Sequence, residues 1–441
     1  MSGVGFVGED ERLMEQKKQM SRRGLVMAAV FLAWVLAVSP MPAAGASQTD
    51  LPALDPPIPS TARGAKTIAP GVTYQMIANK EISSRAYILR FDPLGGSSLK
   101  AVPADLRLPA TSSTVPMLQN EHAVAGINGD FLDLPRRSPL HAFATDGNLL
   151  QTRVSGVNDK LLGITSPGVV PRLGTTQVQI ALDDPAHLAH WPIDSWNPGG
   201  HQSFSLGSDE VAGLTPYGGK SAVSPGHACS ARLIDPSGPR WLDVQMSGIT
   251  RSYRVSEVAC ARLPMNRKGG TVLSALKKGS KATQILALTP GTTVSITWSL
   301  QGWSGITGVI GGNPLILDNG VNTVDPNCSI YLCRYPNART AIGQALDGTI
   351  ILVVVDCIPK IGAPTGVCTN WSKGLKLYDF ADLLGGLGAV NALNLDGDGS
   401  STMWVNGQTV NRPSDPTRKV SSVLAILAGP DPDLQIGPPA P

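Results

Sequence analysis

One short stretch near the C-terminus, NLDGDGSSTMWVNG at residues 394–407, concentrates groups that can do chemistry. Two carboxylates, Asp396 and Asp398, lie close to two hydroxyls, Ser400 and Ser401, with glycines between them. Three kinds of site use such a pattern: a calcium loop, a turn that presents a nucleophilic serine, and a sugar-phosphate site at the end of a strand.

The calcium interpretation fails on spacing. Asn394, Asp396, Asp398 and Gly399 imitate the first half of an EF-hand loop, but the position that requires a bidentate Glu is Val405. An EF-hand is therefore excluded. The pattern requires no cofactor, although a divalent cation held in part by Asp396 and Asp398 stays open, because both supply hard oxygen ligands.

The serine interpretation lacks its turn. GDGSST does not contain the second glycine of the G-x-S-x-G motif, and the order of elements is not strand, elbow, helix. A lipase-like serine hydrolase would need a histidine beside Ser400 or Ser401. The candidates for that base are His122, His141, His187, His190, His201 and His227.

Two predicted strands would position the acids. GTIILVVVDC (residues 348–357) predicts a fully buried strand that ends at Asp356, and VNALNLD predicts a second one that ends at Asp396. Between them, apolar residues at helical spacing predict a helix with one buried face. That face consists of Leu377, Phe380, Ala381, Leu384 and Leu387. Strand ends commonly deliver acids to one site, so Asp356 and Asp396 are expected to lie in one cleft.

A third strand end carries more polar groups. HAVAGINGDFLD predicts a buried strand at residues 124–127, followed by a polar turn from Asn128 to Asp130. The ordinary structural explanation for an Asp beside Gly is a turn cap. The accumulation of such turns makes a binding role for Asn128 and Asp130 the stronger hypothesis.

Several motifs, in order along the chain, resemble the phosphodiester glycosidase family. NLDGDGSST followed by NRPSD and RKVSSVLAI resembles the family signature, and AGINGDFLD, IGGNPLILDNG, LTPYGG and NARTAIGQALDGTIILVVVD resemble further family stretches. The likeness runs from about Val124 to Leu427, with a weakly covered middle. The family's glycine triplet reads Gly397, Asp398, Gly399 here, so Asp398 departs from it.

The resemblance implies a secreted hydrolase that cleaves a sugar-1-phosphodiester bond, such as an N-acetylglucosamine-1-phosphodiester, in an envelope glycan, exopolysaccharide or glycoconjugate. Such chemistry needs a carboxyl pair around an oxocarbenium-like centre, and a phosphate held by backbone amides and an arginine fork. We assign Asp396 and Asp356 to acid/base roles and Arg339 to the fork. The expected substrate-binding residues are Asn128, Asp130, Thr340, Asn394, Gly397, Gly399, Ser400, Ser401 and Arg412. The alternative is a non-catalytic carbohydrate-binding protein of exopolysaccharide assembly, in which the acids would not converge.

Composition predicts the class of fold. The chain of 441 residues has 48 Gly, 36 Pro and 42% hydrophobic residues, which favours many turns and short strands over a helical bundle. The expected fold is α+β: β-rich, with mixed sheets, few helices and a single phosphodiester-glycosidase-like domain. A net charge of +3, without a basic tract after the N-terminal leader, gives nucleic-acid binding no electrostatic support.

The N-terminus has the order of a signal peptide. Basic residues precede an apolar run, and AGA offers a cleavage site before Ser47. The run is shorter than the ~18–20 residues that span a bilayer, so no membrane span is expected after cleavage. An uncleaved anchor is the alternative. The protein is expected to be secreted or periplasmic.

The predicted organisation follows from these signals. Residues 1–46 form the signal peptide, 47–67 a Pro-rich linker, 68–428 the glycosidase-like domain, with motif cores at 124–150 and 302–427, and 429–441 a disordered tail. An even number of cysteines in an exported chain favours disulfides. Zinc is disfavoured because there is no CxxC pair. The preferred pairs are Cys229–Cys260, Cys328–Cys333 and Cys357–Cys368.

Overall fold

The computed structural model describes residues 64–79, 83–152, 158–198, 206–218, 226–235, 248, 250–263, 270–362 and 367–429. The predicted signal peptide, most of the predicted linker and nearly all of the predicted tail lie outside these residues. The first strand starts at Lys66, two residues before the expected start of the domain. No helix in the described part of the chain has the length and apolar character needed to cross a membrane.

Short strands are the main regular elements of the described chain. Those of the first segment are β1 (Lys66–Ala69), β2 (Val72–Asn79), β3 (Ser84–Phe91), β4 (Ser98–Pro103), β5 (Ala125–Asn128), β6 (Leu132–Asp133), β7 (Ser138–Pro139), β8 (Phe143–Thr145) and β9 (Asn148–Gln151). The middle segment contains β10 (Asn158–Thr165), β11 (Arg172–Asp184), β12 (Ala189–Pro192), β13 (Ser195–Trp196), β14 (Val211–Leu214), β15 (Ala228–Ile234), β16 (Thr250–Ala259), β17 (Thr271–Leu276), β18 (Thr293–Leu300) and β19 (Ile306–Gly311). The last segment contains β20 (Leu315–Asp318), β21 (Val321–Asn322), β22 (Arg339–Ala345), β23 (Ile350–Val355), β24 (Cys357–Pro359), β25 (Cys368–Lys373), β26 (Ala389–Asn394), β27 (Met403–Val405), β28 (Gln408–Thr409) and β29 (Ser422–Leu427).

Helices are few and short in the described residues. They are α1 (Thr114–Asn120), α2 (Ala282–Ala287), α3 (Tyr331–Arg334) and α4 (Leu377–Gly386), with 3-10 turns at Pro185–His187, Pro216–Gly218 and Asp398–Ser400. The predicted helix is α4, and it buries Leu377, Phe380, Ala381 and Leu384 as expected, whereas Leu387 follows the helix and is only partly buried. The strand-rich α+β class predicted from composition is confirmed.

Three large sheets organise the described strands. An eight-stranded sheet has the order β1-β2-β3-β23-β22-β26-β20-β21, and a five-stranded sheet has the order β28-β27-β5-β29-β4. A twelve-stranded sheet runs β13-β14-β17-β15-β16-β18-β11-β10-β19-β8-β9, with β12 paired to β11. Two hairpins, β24–β25 and β6–β7, complete the set.

The eight-stranded sheet is buried on both faces near its centre. Side chains along β23 alternate: Ile350, Leu352 and Val354 enter a core shared with the five-stranded sheet, whereas the side chains between them enter a core covered by α4. Burial on both faces explains why β23 is a continuous apolar run. It also means that polar side chains can reach solvent only where these strands end.

The order of strands brings three strand ends together. β22 lies between β23 and β26 and is antiparallel to both, with Arg339 opposite Val355 and Ala341 opposite Asn394. The start of β22 and the ends of β23 and β26 therefore share one edge of the sheet. Asp356 and Asp396 follow at that edge, two strands and thus about 10 Å apart by strand spacing.

The cysteines are paired as expected. Cys229 is joined to Cys260, Cys328 to Cys333 and Cys357 to Cys368. The first pair lies in the twelve-stranded sheet, where it links β15 to the end of β16, and the other two close loops beside the shared edge.

Candidate active site

Asp396 lies just beyond β26, where the chain continues along the start of β22. The N–H of Leu395 donates to the Thr340 carbonyl at 2.9 Å, and the N–H of Asp398 donates to the Ala338 carbonyl at 2.9 Å. The Asp396 carboxylate accepts a hydrogen bond from Ser400 Oγ at 2.7 Å. Burial raises the pKa of Asp396 to about 6, and the charge of Asp130 raises it too, whereas the Ser400 hydrogen bond and the charge of Arg418 lower it.

Asn128 fixes the main chain of Asp396. The fully buried Asn128 side chain donates from Nδ2 to the Asp396 carbonyl at 2.7 Å, and its Oδ1 accepts from Thr340 Oγ1 at 2.9 Å and from the Thr402 N–H at 3.1 Å. The Asp396 N–H donates to the carbonyl of Gly129 at 3.3 Å. The end of β5 and the end of β26 are thereby bonded together, although they belong to different sheets.

Asp130, two residues beyond Asn128, holds a histidine. Its buried carboxylate lies 2.7 Å from His141 Nδ1, accepts the His141 N–H at 2.8 Å and also accepts the Phe131 N–H at 2.7 Å. Burial lowers the pKa of His141, but the charge and hydrogen bond of Asp130 outweigh that effect, so the pKa is raised. Burial raises the pKa of the nearby Asp159, against the effect of His141.

His141 and Asp159 were not assigned from the sequence. His141 was one of six histidines with no feature to separate it from the others, and Asp159 lies inside β10 with no motif around it. The separation of eleven residues between Asp130 and His141 contains the hairpin β6–β7, which returns the chain to Asp130. Only that hairpin brings the two together.

Neither serine has a histidine partner among the described hydrogen bonds. Ser400 donates to Asp396, and Ser401 Oγ lies 3.1 Å from Thr340 Oγ1. The serine-hydrolase alternative therefore receives no support from the geometry of Ser400 or Ser401.

Arg339, expected as a phosphate fork, points into the protein. It is 3% exposed, and its guanidinium donates to the carbonyls of Leu375, Leu332 and Tyr335 at 3.0, 2.7 and 2.9 Å. Burial lowers the pKa of Arg339 to about 10, while the charge of Asp398 raises it. All three nitrogens of this guanidinium are thus bonded to main-chain carbonyls.

Asp356 is also buried, at 1% exposure, and its carboxylate is hydrogen-bonded to the loop that contains Asn411 and Arg412. Its Oδ1 accepts Nδ2 of Asn411 at 2.9 Å, and its Oδ2 accepts the N–H of Arg412 at 3.0 Å. Burial raises the pKa of Asp356, whereas its interactions with Asn411, with the Arg412 N–H and with the side chains of Tyr87 and Trp371 lower it. Asp356 anchors the loop that carries Arg412.

A buried polar network connects the two acids. Asn411, bonded to Asp356, also donates to the Ser401 carbonyl at 3.0 Å, Ser401 contacts Thr340, and Thr340 bonds to Asn128, which holds Asp396. Of the expected substrate-binding residues, Asn128, Thr340 and Ser401 belong to this network and are buried. The structure thus brings Asp356, Asp396, Asn128, Asp130, Thr340, Ser400 and Ser401 together, but several of them face inward.

Asn394, the last residue of β26, is hydrogen-bonded to the segment that precedes β20. It is buried, and its Nδ2 donates to the carbonyl of the exposed Asn313 at 2.9 Å. A cis peptide joins Asn313 to Pro314, and a Cβ on the preceding Gly312 would lie 2.4 Å from the Asn394 carbonyl. The glycine is needed because the two chain segments approach so closely.

The glycine-rich turn forms a closed 3-10 turn instead of an open amide nest. The N–H of Ser400 donates to the Gly397 carbonyl at 3.0 Å, and the N–H of Ser401 donates to the Asp398 carbonyl at 3.3 Å. The left-handed conformation falls on Asp398, with φ of 50°, where the family has glycine. Asp is among the few non-glycine residues that adopt this conformation readily, which explains how the substitution is tolerated.

Gly399 makes room for a cation. A Cβ at this position would lie 2.9 Å from both Asp415 Cβ and Arg418 Nε, so the Arg418 guanidinium packs over the glycine. Arg418 also forms an ion pair with Asp415 at 3.6 Å. The sequence stretch RKVSSVLAI contains Arg418, but nothing in the pattern marked it as a site residue.

Arg412 is a second exposed cation at this edge. Its Cζ lies 5.6 Å from the centre of the Trp371 ring, and Arg85 lies over the same ring at 3.9 Å. The described residues contain no group of three or more His, Cys, Asp or Glu placed to hold a metal ion. A divalent cation at Asp396 and Asp398 stays a prediction.

Comparisons with known proteins agree with the arrangement of these motifs. Residues 250–427 match the family model described as phosphodiester glycosidase. N-acetylglucosamine-1-phosphodiester alpha-N-acetylglucosaminidase of Mus musculus is 34% identical over 98 residues, which is 20% of this chain and 17% of that protein. The chain thus matches less than a fifth of the length of that curated relative.

Two solved structures share the fold over most of this chain. A hypothetical protein from Synechocystis has a TM-score of 0.61 at 20% identity, covering 83% of this chain and 64% of its own. A putative exported protein from Burkholderia pseudomallei K96243 has a TM-score of 0.54 at 22% identity, covering 80% and 74%. The residues that match the phosphodiester glycosidase family model include Asp356, Asp396 and Arg418.

Proposed function

We propose that the protein hydrolyses a sugar-1-phosphodiester and that Asp396 activates the attacking water. The observation that carries this proposal is the carboxyl of Asp396, whose pKa is raised by burial to about 6 and whose main chain is fixed by Asn128. A carboxylate with that pKa can accept a proton near neutral pH. Asp396 lies within residues 250–427, which match the family model.

The chemistry divides among the residues at the shared edge. Water adds to the anomeric carbon as the bond from that carbon to the phosphate oxygen breaks, and a phosphate monoester leaves. Because phosphate is a good leaving group, the demanding tasks are proton removal from water and stabilisation of positive charge at the anomeric carbon. Asp396 serves both, while Arg412 and Arg418 supply cations for the phosphate.

His141 has a supporting role in this proposal. Asp130 binds Nδ1 and favours the protonated ring, so Nε2 is left to donate a hydrogen bond to a sugar or phosphate oxygen. Asp356 acts at a distance: it holds the loop of Arg412 and does not touch the reacting atoms.

The substrate class follows from the relatives and remains part of the proposal. The mouse relative is named for an N-acetylglucosamine-1-phosphodiester, and we extend that sugar linkage to this chain as the first substrate to test. Three disulfides suit an oxidising compartment, which supports a secreted or periplasmic enzyme acting on an envelope glycan, exopolysaccharide or glycoconjugate.

The test is a turnover screen with matched variants. Purified protein is incubated with alkyl-phosphate and nucleoside-diphosphate esters of N-acetylglucosamine and other sugars, and the released sugar is measured. Asp396→Asn should lower kcat at least ~100-fold, the scale of losing an acid/base group. Asp347→Asn is the control, because Asp347 is exposed in the turn at the opposite end of the same sheet.

Two outcomes would reject the proposal. Near-full turnover by Asp396→Asn would show that the carboxyl is structural. Tight glycan binding by the wild type without turnover of any ester would favour the non-catalytic carbohydrate-binding protein.

A further inference from the structure

A pocket lies between the loop that leads to β22 and the hairpin β24–β25, and it plays no part in the reaction described above. It has a volume of about 480 Å³, within the range of small-molecule sites. Pro336 lines one side, and Lys360, residues 367–370 and Lys373 line the other. Two exposed lysines and no carboxylate are present among these lining residues. The described lining of the pocket is therefore positively charged.

Both walls of the pocket are held in place by covalent and polar links. The disulfide Cys328–Cys333 closes the loop that leads to Pro336, and Cys357–Cys368 joins the strands of the hairpin β24–β25. The buried guanidinium of Arg339 bonds to Leu332 and Tyr335 on the first wall and to Leu375, just beyond β25, on the second. The two walls thus keep a fixed separation before any ligand binds.

The same hairpin reaches the candidate active site. Its first residue, Cys357, directly follows Asp356. The side chain of Trp371 on β25 lowers the pKa of Asp356, and its ring centre lies 5.6 Å from the guanidinium carbon of Arg412. On the other wall, Pro336 is two residues before Ala338, whose carbonyl bonds to Asp398. Lys373 is two residues beyond Trp371 on β25, so its side chain lies on the same face of the strand as the Trp371 ring that Arg412 contacts.

We propose that this pocket binds a second anionic group on the leaving-group side of the substrate, so that the preferred substrates are glycans with more than one phosphate. The inference rests on the proposed hydrolase function and deepens it. Lysine ammonium groups bind phosphate as compact charges, and Thr369 and Asn370 add neutral hydrogen-bond donors. A neutral leaving group would leave both lysines unused.

The first experiment compares two substrates and two double variants. One substrate has a neutral alkyl group on the phosphate, and the other has an alkyl group that ends in a second phosphate. Lys360→Ala/Lys373→Ala should raise KM for the second substrate by roughly tenfold, the scale of losing two partly solvated charge contacts, and leave kcat and the KM of the first unchanged. Lys277→Ala/Lys278→Ala removes two exposed lysines after β17 and should change neither.

The second experiment measures binding without turnover. Calorimetric titration of Asp396→Asn with inorganic pyrophosphate should show binding that weakens with salt and is largely lost when Lys360→Ala/Lys373→Ala is added. If pyrophosphate affinity and both KM values are the same with and without the two lysines, the pocket proposal is wrong, even when the enzyme hydrolyses both substrates. If neither substrate is hydrolysed but the lysines still control pyrophosphate binding, the hydrolase proposal fails and the pocket survives.

Discussion

At the scale of single residues, the ionisation of Asp396 links activity to pH. As the group that removes a proton from water, it must be ionised, and burial raises its pKa to about 6. We expect kcat/KM of the wild type to rise with pH and to level off above about 6. The pH profile of the residual activity of Asp396→Asn should lack this acid limb. An acid limb that persists in the variant would assign it to another group.

The same carboxyl should lower stability at neutral pH. Its pKa in the folded protein, about 6, is above the ordinary 3.8, so protonation favours folding, and this stabilisation is lost as pH rises from about 4 to 6. A shift of about two units corresponds to about 3 kcal/mol. We expect the Tm of Asp396→Asn, relative to the wild type, to increase by a few degrees between pH 4 and pH 7. Melts followed by circular dichroism test this, and a difference independent of pH would contradict it.

A substitution at Arg339 distinguishes a structural role from a role in phosphate binding. Lysine keeps the charge, but a single ammonium cannot replace a guanidinium that spans the carbonyls of Leu332, Tyr335 and Leu375. We expect Arg339→Lys to lower the free energy of unfolding by about 2–4 kcal/mol, since buried carbonyls lose their donors. Urea denaturation measures this. Unchanged stability with a raised KM would instead support the phosphate fork expected from the sequence.

At the scale of elements, the site depends on the bond between two strand ends. Asn128, at the end of β5, donates to the main chain of Asp396 beyond β26. Asn128→Asp has nearly the same shape but cannot donate this bond, and it adds a negative charge that raises the pKa of Asp396. We expect a lower kcat and an acid limb shifted to higher pH. Asn148→Asp, at the start of β9, should leave both unchanged.

At the scale of the whole molecule, the disulfides should separate stability from substrate binding. The cysteines of the Cys229–Cys260 pair are 31 residues apart and those of Cys357–Cys368 are 11 apart, so loop-closure entropy predicts losses of roughly 4 and roughly 3 kcal/mol on their removal. Of these two pairs, only Cys357–Cys368 borders the pocket lined by Lys360 and Lys373. Replacing Cys357 and Cys368 by Ser should raise KM for a substrate with two phosphates, whereas replacing Cys229 and Cys260 should lower Tm without that change.

The sequence by itself determined the local features of this protein. A continuous apolar run identified β23, helical spacing identified α4, and the acids after two buried strands marked the edge where Asp356 and Asp396 lie. The two local cysteine pairs and the likeness to the family could also be predicted, because short loops and ordered motifs depend on residues close together in the chain. The strand-rich class followed from the glycine and proline content.

Only the tertiary structure decided which side chains face the site. Successive residues of a strand point to opposite faces, so Thr340 joins the polar network while its neighbour Arg339 enters the opposite core, and the sequence does not state what covers each face. The partner of Asn128 is 268 residues away at Asp396, and that of Asp356 is 55 residues away at Asn411. Such contacts arise when separate sheets pack together, and no local pattern encodes them. For the same reason, Asp356 became an anchor for Arg412, and the hairpin β6–β7 placed His141 against the carboxylate of Asp130.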